Sequence, residues 1–382
     1  MRYRFFLSAA MAAALLCPPA VADTAAEGMT WHTTEHSGVE YIPLGDLRSF
    51  YKMLPPKQEG TGAVSISNSK VTVTFGPAPR ELSICGCRFF LMHPLRYSPD
   101  GEPLLSTDDL RTTLDPILRP LYIPTRQEIK TVIIDPGHGG NDTGRRGEHL
   151  READISLLLA RQLAQTLAKQ GFRTVLTRES NDFRSDQQRV DLCNEQQQAL
   201  FLTLHANAGA PSSAGIETYT TAPAAKGAAP LPGNANDAAN IALAAAVQAG
   251  MLARTGAADG ACRRVHYSLL SSVKCPAAGI VVGYLTNSEE AAKLGTPEYC
   301  AALVQGIADG VRAFTGQMNP ATGYQPAPVQ ADPPPTTTYK APAPAATPPK
   351  DEAKRKPAAR KEPSRSTTPR RSSPGSRNRS RR

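Results

Sequence analysis

TVIIDPGHGGNDTG, residues 131–144, reads as a buried strand that runs out into a glycine-rich loop holding one histidine. Val132, Ile133 and Ile134 are apolar without alternation, as in a strand covered on both faces. Pro136 and Gly137 end it, and His138 stands before two more glycines. Such a loop has several readings: a turn histidine with satisfied hydrogen bonds, a phosphate cradle, or a ligand turned inward. It lacks the Gly-Lys-Ser/Thr ending of a nucleotide loop, which argues against the cradle.

Downstream, strand and helix patterns alternate. Ile155, Leu159, Leu163 and Leu167 recur at i, i+4 and the pattern stops at Gly171, as an amphipathic helix with a glycine beyond its C-cap does. RTVLT (173–177) predicts a strand, a helix follows through Arg189 and Leu192, and ALFLTLH (199–205) predicts another strand. GIETYT, an alanine-rich helix from about Asn236 to Leu252, the strand AGIVVGYL (278–285) and a helix around Leu303, Ile307 and Val311 complete the series. The expectation over residues 129–316 is an α/β domain, a mostly parallel sheet flanked by helices. Ligands in such sheets sit beyond the C-terminal strand ends, where His138 lies.

A second histidine falls at the same rim. In FLTLHANA, Phe201, Thr203 and His205 share a face, and His205 is the last of them. Two imidazoles at neighbouring strand ends can serve as a metal pair. Glu152, in the first turn of the helix after the His138 loop, is placed to be a third ligand. As an isolated residue it reads better as an acid favoured at a helix N-terminus.

IIDPGHGGNDTGRRG, LREADISL, GFRTVLTRESND, FLTLHANAG, GIETY and GYLTNSEEAAKL follow one another in an order that resembles the secreted zinc-dependent N-acetylmuramoyl-L-alanine amidases of the amidase 3 family. The resemblance spans about residues 131–315. It implies Zn²⁺ held by His138, Glu152 and His205, with Asn207 of the HAN motif toward substrate. It also implies hydrolysis of the amide joining N-acetylmuramic acid to L-alanine in peptidoglycan. Two nitrogens and one carboxylate leave a fourth position open, the layout of catalytic zinc.

The chain departs from that pattern at one position. The family carries a general-base glutamate two residues before the glycine of its late-strand motif, and with Gly283 as that glycine the position is Val281. A valine moves no proton, and loss of a positioned base costs about 10²–10⁴-fold in rate. Either another acid has taken the role, Glu217 of GIETY first among the candidates, or the domain binds zinc and cell wall without cutting it well.

The rest of the 382 residues divides into three further stretches. Residues 1–22 read as a Sec-type leader: Arg2 and Arg4, an apolar run from Phe5 to Leu16, then Ala20-Val21-Ala22 as a cleavage site. A lipoprotein reading through Cys17 is opposed by the bulky Leu16. The expected location is therefore secreted or periplasmic, with no transmembrane segment in the mature chain. Residues 28–125 resemble the small α+β domain named after the N-terminal part of copper amine oxidases, with Asp-Leu-Arg opening a helix at 46–48 and again at 109–111 and a strand at 71–75. That resemblance implies a spacer or binding role and no copper chemistry.

From Ala321 to Arg382 there are 14 Lys and Arg against 4 Asp and Glu, so the tail from about residue 317 carries the whole excess of the net charge of +9. Its Pro, Ala, Thr and Ser leave little to bury, and it is expected to be disordered. It is either a solvated linker or an anchor to anionic cell-wall or lipid-headgroup polymers; no nucleic-acid partner is expected outside the cytoplasm. Beyond the leader six cysteines remain, which permits disulfides without choosing among their 15 pairings.

Overall fold

The apolar run at 131–135 is a central strand of an 11-stranded sheet in a computed structural model that describes residues 31–60, 62–223 and 229–319. The leader, and all but the first three residues of the basic tail, lie outside the described residues. The first stretch contributes β1 (Thr34–His36), β2 (Val39–Pro43), α1 (Leu44–Phe50), β3 (Lys57–Gln58), β4 (Val64–Ser67), β5 (Thr72–Phe75), β6 (Glu81–Ile84), β7 (Cys87–Phe90), β8 (Arg96–Tyr97) and β9 (Pro103–Ser106). The CGC triplet is the tip of the β6–β7 hairpin: Cys85 and Gly86 both have positive φ, at 50° and 86°, as a two-residue primed turn requires. The second Asp-Leu-Arg opens no simple helix. Thr107–Asp109 begins one, Leu110–Leu114 widens to a π turn, and Asp115–Leu118 resumes it.

The second stretch contributes β10 (Thr131–Pro136), α2 (Glu152–Lys169), β11 (Arg173–Leu176), α3 (Asp186–Asn194), β12 (Ala199–Asn207), β13 (Ile216–Thr221), α4 (Asp237–Thr255), β14 (Asp259–Val265), α5 (Ser268–Ser272), β15 (Ala277–Tyr284), α6 (Ser288–Leu294) and α7 (Pro297–Met318). In the order β11-β10-β12-β15 all neighbours are parallel, as expected. β13 then runs antiparallel to β15, and β14 runs parallel to β13. The sheet is therefore mixed, and β14, whose DGACRRV has no clean alternation, escapes a pattern reading.

Side chains alternate between two apolar layers. Val132, Ile134, Leu200, Leu202 and Leu204 join the layer formed with α2, α4 and α7. Ile133 and Phe201 face the other way, onto Val190 of α3 and Leu269 and Leu270 of α5. Thr203 and His205 follow Phe201 on that second face, so the period of the strand carries His205 to the rim above α3 and α5.

The sheet does not stop at the boundary between the two stretches. β14 pairs in parallel with β7 through Cys262 and Phe89, and Ile241, Ala245 and Ala249 of α4 complete the core of the first stretch. Arg88 fastens the seam: its backbone N–H donates to Asp259 Oδ2 at 2.7 Å and its guanidinium to the Asp259 carbonyl at 2.7 Å. Among the described residues no helix is long and apolar enough to cross a membrane.

Candidate metal centre

Three strand or helix ends meet at the rim. β10 delivers the loop with His138, α2 begins at Glu152, and β12 carries His205 near its end. Their ligating atoms all lie within 4.8 Å of one another. Glu152 Oε2 is 3.1 Å from His138 Nε2, and Oε1 is 2.8 Å from His205 Nδ1.

Backbone conformation makes this convergence possible. His138 has φ 61°, in the left-handed region that ordinary residues seldom occupy, and this sets its ring toward Glu152. Gly137 has to be a glycine because a Cβ there would overlap the imidazole of His205. At Gly144, φ is +62° and a Cβ would stand 2.5 Å from His138 Cδ2 and 2.6 Å from Glu152 Oε2. The glycines flanking the histidine thus supply space as well as bends.

Each ring is also fixed from behind. His138 Nδ1 is 2.8 Å from Asp142 Oδ2, and His205 Nε2 is 3.0 Å from Thr203 Oγ1. Thr203 donates in turn to Asp135 Oδ2 at 2.7 Å, and Asp135 pairs with Arg189 of α3. Arg189 also donates to the carbonyl of His138 at 2.9 Å, which clamps the loop from the far side. Such supports, which fix ring orientation, are what metal-ligating histidines ordinarily have.

The carboxylate suits the same purpose. Glu152 is 2 % exposed. Burial alone would raise its pKa; hydrogen bonds to both histidines, with help from the Arg145 N–H, outweigh that and hold it far below the usual carboxylate range. The hydrogen bond to Glu152 conversely raises the pKa of His138. A buried anion between two imidazoles, with each imidazole's second nitrogen already engaged, is a donor set that fits a divalent cation of borderline softness.

The three residues open onto a cleft of about 540 Å³ whose lining includes Asn207, Arg145, Tyr219, Tyr267 and Val281. Val281 occupies the wall next to His205: the two are register partners across β12 and β15. On its other side Val281 is the register partner of Glu217 in β13. The row across three strands therefore reads imidazole, isopropyl, carboxylate.

Glu217 does not line the cleft. It is 3 % exposed and accepts hydrogen bonds from Tyr219 Oη and, at 3.0 Å, from Tyr284 Oη, with Arg263 3.4 Å away. Tyr219 does line the cleft, and burial together with its bond to Glu217 pushes its phenol well above the ordinary value. Neither Tyr219 nor Asp142 stands out in the sequence, since their roles depend on register and loop path. The two acids after Asn287 differ in fate: Glu289 is exposed, while Glu290 is buried and accepts from the N–H groups of Gly215 and Tyr284, at 2.7 Å each.

Comparison with known proteins bears on residues 132–313, which match the family model described as N-acetylmuramoyl-L-alanine amidase. The N-acetylmuramoyl-L-alanine amidase LytC of Bacillus subtilis is 32% identical over 188 residues, 48% of this chain and 35% of LytC. The germination-specific N-acetylmuramoyl-L-alanine amidase of the same organism is 29% identical over 209 residues, 50% of this chain and 82% of the relative. Among solved structures, the catalytic domain of CwlV, an N-acetylmuramoyl-L-alanine amidase from Bacillus (Paenibacillus) polymyxa var. colistinus, is 30% identical, covers 48% of this chain and 96% of its own, and superposes with a TM-score of 0.42. Residues 132–313 therefore form a domain that matches the N-acetylmuramoyl-L-alanine amidase family.

Proposed function

We propose that the cleft hydrolyses the amide between the lactyl group of N-acetylmuramic acid and L-alanine of the peptidoglycan stem peptide, with zinc held by His138, Glu152 and His205. The observation that carries this reading is the convergence of those three side chains, within 4.8 Å, on a cleft inside an amidase-family domain. When bound, zinc supplies a Lewis acid that polarises a carbonyl and makes water nucleophilic near neutral pH. The protein's own residues hold the donor set: Glu152 stays ionised, Asp142 and Thr203 fix the two rings, and Asn207 faces substrate from the cleft wall.

Proton transfer is the part that Val281 cannot perform. The pair formed by Tyr219 and Glu217 takes it over in this reading. Tyr219 Oη accepts a proton from the attacking water while passing its own to Glu217 Oε2; the reverse shift delivers a proton to the leaving L-alanyl nitrogen. What supports the assignment is the cross-strand position of Glu217 beside Val281 and the Tyr219 hydroxyl that joins it to the cleft. The setting is outside the cytoplasm, reached through the leader read at residues 1–22, with the basic tail free to hold anionic polymer.

The valine favours a second reading, a zinc-bearing wall-binding protein that leaves the amide intact. Rates on purified sacculi separate the two. The native protein is expected to release stem peptides, Glu217→Gln and Tyr219→Phe to slow release by about 10²–10⁴-fold, and Val281→Glu to restore it in the Glu217→Gln background. Sedimentation of native protein with sacculi whose amide stays intact would select the second reading. Unchanged rates in Glu217→Gln would remove the relay.

A further inference from the structure

Two cysteines in the second layer of the core face each other. Cys193, near the end of α3, and Cys275, two residues before β15, have their sulfurs 3.5 Å apart. Both are buried, at 1 % and 7 % exposure. Among the described residues this is the one sulfur–sulfur contact within hydrogen-bonding reach: the Cys262 thiol instead accepts from Thr218 Oγ1 at 2.9 Å, and that of Cys300 donates to the Leu294 carbonyl at 3.2 Å.

The backbones on either side are already held in register. Asn194, next to Cys193, donates from Nδ2 to the Ser272 carbonyl at 3.2 Å and accepts at Oδ1 from the Lys274 N–H at 2.8 Å. The strand lead-in is pinned as well, with the Pro276 carbonyl accepting from Phe201 N at 2.9 Å. Two thiols that approach without a covalent tie, between segments that neighbouring hydrogen bonds lock together, need only a small side-chain movement to bond.

We propose that Cys193 and Cys275 form a disulfide in the mature protein, a covalent staple between α3 and β15. Two S–H bonds break and one S–S bond forms; the two protons and two electrons pass to a thiol–disulfide oxidant, of which oxidised glutathione is the simple representative. The staple closes a separation of 82 residues and joins the two supports of the cleft. On one side α3 carries Arg189, which clamps Asp135 and the His138 carbonyl; on the other β15 carries Val281. This site is independent of the proposed hydrolysis and of whether zinc is bound.

The test is a non-reducing peptide map. Full-length protein refolded with reduced and oxidised glutathione is blocked with iodoacetamide, digested and weighed. One cross-linked species is expected, the peptide with Cys193 joined to that with Cys275 and lighter than their sum by two hydrogens. Reduction should lower the melting temperature by about 5–15 °C in the native protein and by almost nothing in Cys193→Ala or Cys275→Ala. Full alkylation of both thiols after denaturation of the oxidised sample would overturn the assignment, as would either cysteine joined to Cys85, Cys87, Cys262 or Cys300. Because each alanine variant keeps a small apolar side chain in the core, a reduction-insensitive melt from a folded variant reads the bond and not a loss of fold.

Discussion

Gly137 sets how near His205 can come to the loop, and Gly144 does the same for His138 and Glu152. A methyl group at either position displaces a ligand, and at Gly137 it would also stand 2.9 Å from the Leu204 carbonyl oxygen, so Gly137→Ala should lower zinc affinity by about 10-fold or more and cost stability as well. Chelator competition followed alongside thermal melting reads both quantities. Thr203→Val acts from behind the ring, removing the partner of His205 Nε2. It should cost about 10–100-fold in zinc affinity, the usual effect of deleting such a support. Unaltered zinc affinity in both variants would mean that the three residues do not act together on a metal. The convergence of His138, Glu152 and His205 was legible because the three sit in short motifs at predictable strand and helix ends. Tyr219 and the burial of Glu217 were not, because both depend on β13 lying antiparallel to β15, and no local pattern in GIETYT states which neighbour it takes or in which direction.

At the scale of elements, α3 matters more than its length suggests. A Ser185/Gln188 capping box starts it, and its Arg189 reaches into the strand ends to pair with Asp135, both side chains being almost wholly buried. Removing one member strands the other charge, so Asp135→Asn or Arg189→Leu should cost about 3–5 kcal/mol in denaturant unfolding. A cost below 1 kcal/mol would show that the pair is better solvated than its burial implies. The crossing of α4 and α7 makes a second demand on sequence: a Cβ at Gly306 would sit 2.7 Å from the Gly250 carbonyl oxygen. Gly306→Ala should therefore destabilise by about 1–3 kcal/mol, although alanine is the better helix former. Alanine-rich composition pointed to α4 and apolar spacing to α7; neither gave a sign that they cross so closely, since a glycine inside a helical pattern looks the same whether it faces solvent or a neighbour.

The whole molecule is organised around a sheet that passes from the first stretch into the second. The seam was invisible in sequence because one register pair, Cys262 with Phe89, makes it, and the apolar face of α4 that covers the first stretch reads simply as an alanine-rich helix. Shared core and shared sheet predict one cooperative unfolding transition for residues 31–319, by fluorescence and by circular dichroism alike. Two resolved transitions would mean that the seam is too weak to couple the halves. Residues 129–319 alone should expose the α4 face and the edge of β14, and should self-associate where the full chain does not.

The cleft holds Val281 where the family resemblance places an acid, and the reaction proposed for it is the cutting of one particular bond. Purified sacculi incubated with zinc-loaded full-length protein, and the soluble products read by mass spectrometry, test it directly. Stem peptides bearing a free L-alanyl amino group, absent after chelation and absent with His138→Ala, are the predicted result. Sacculi that stay intact after prolonged incubation, or soluble products in which every stem peptide still carries its N-acetylmuramic acid, would contradict it.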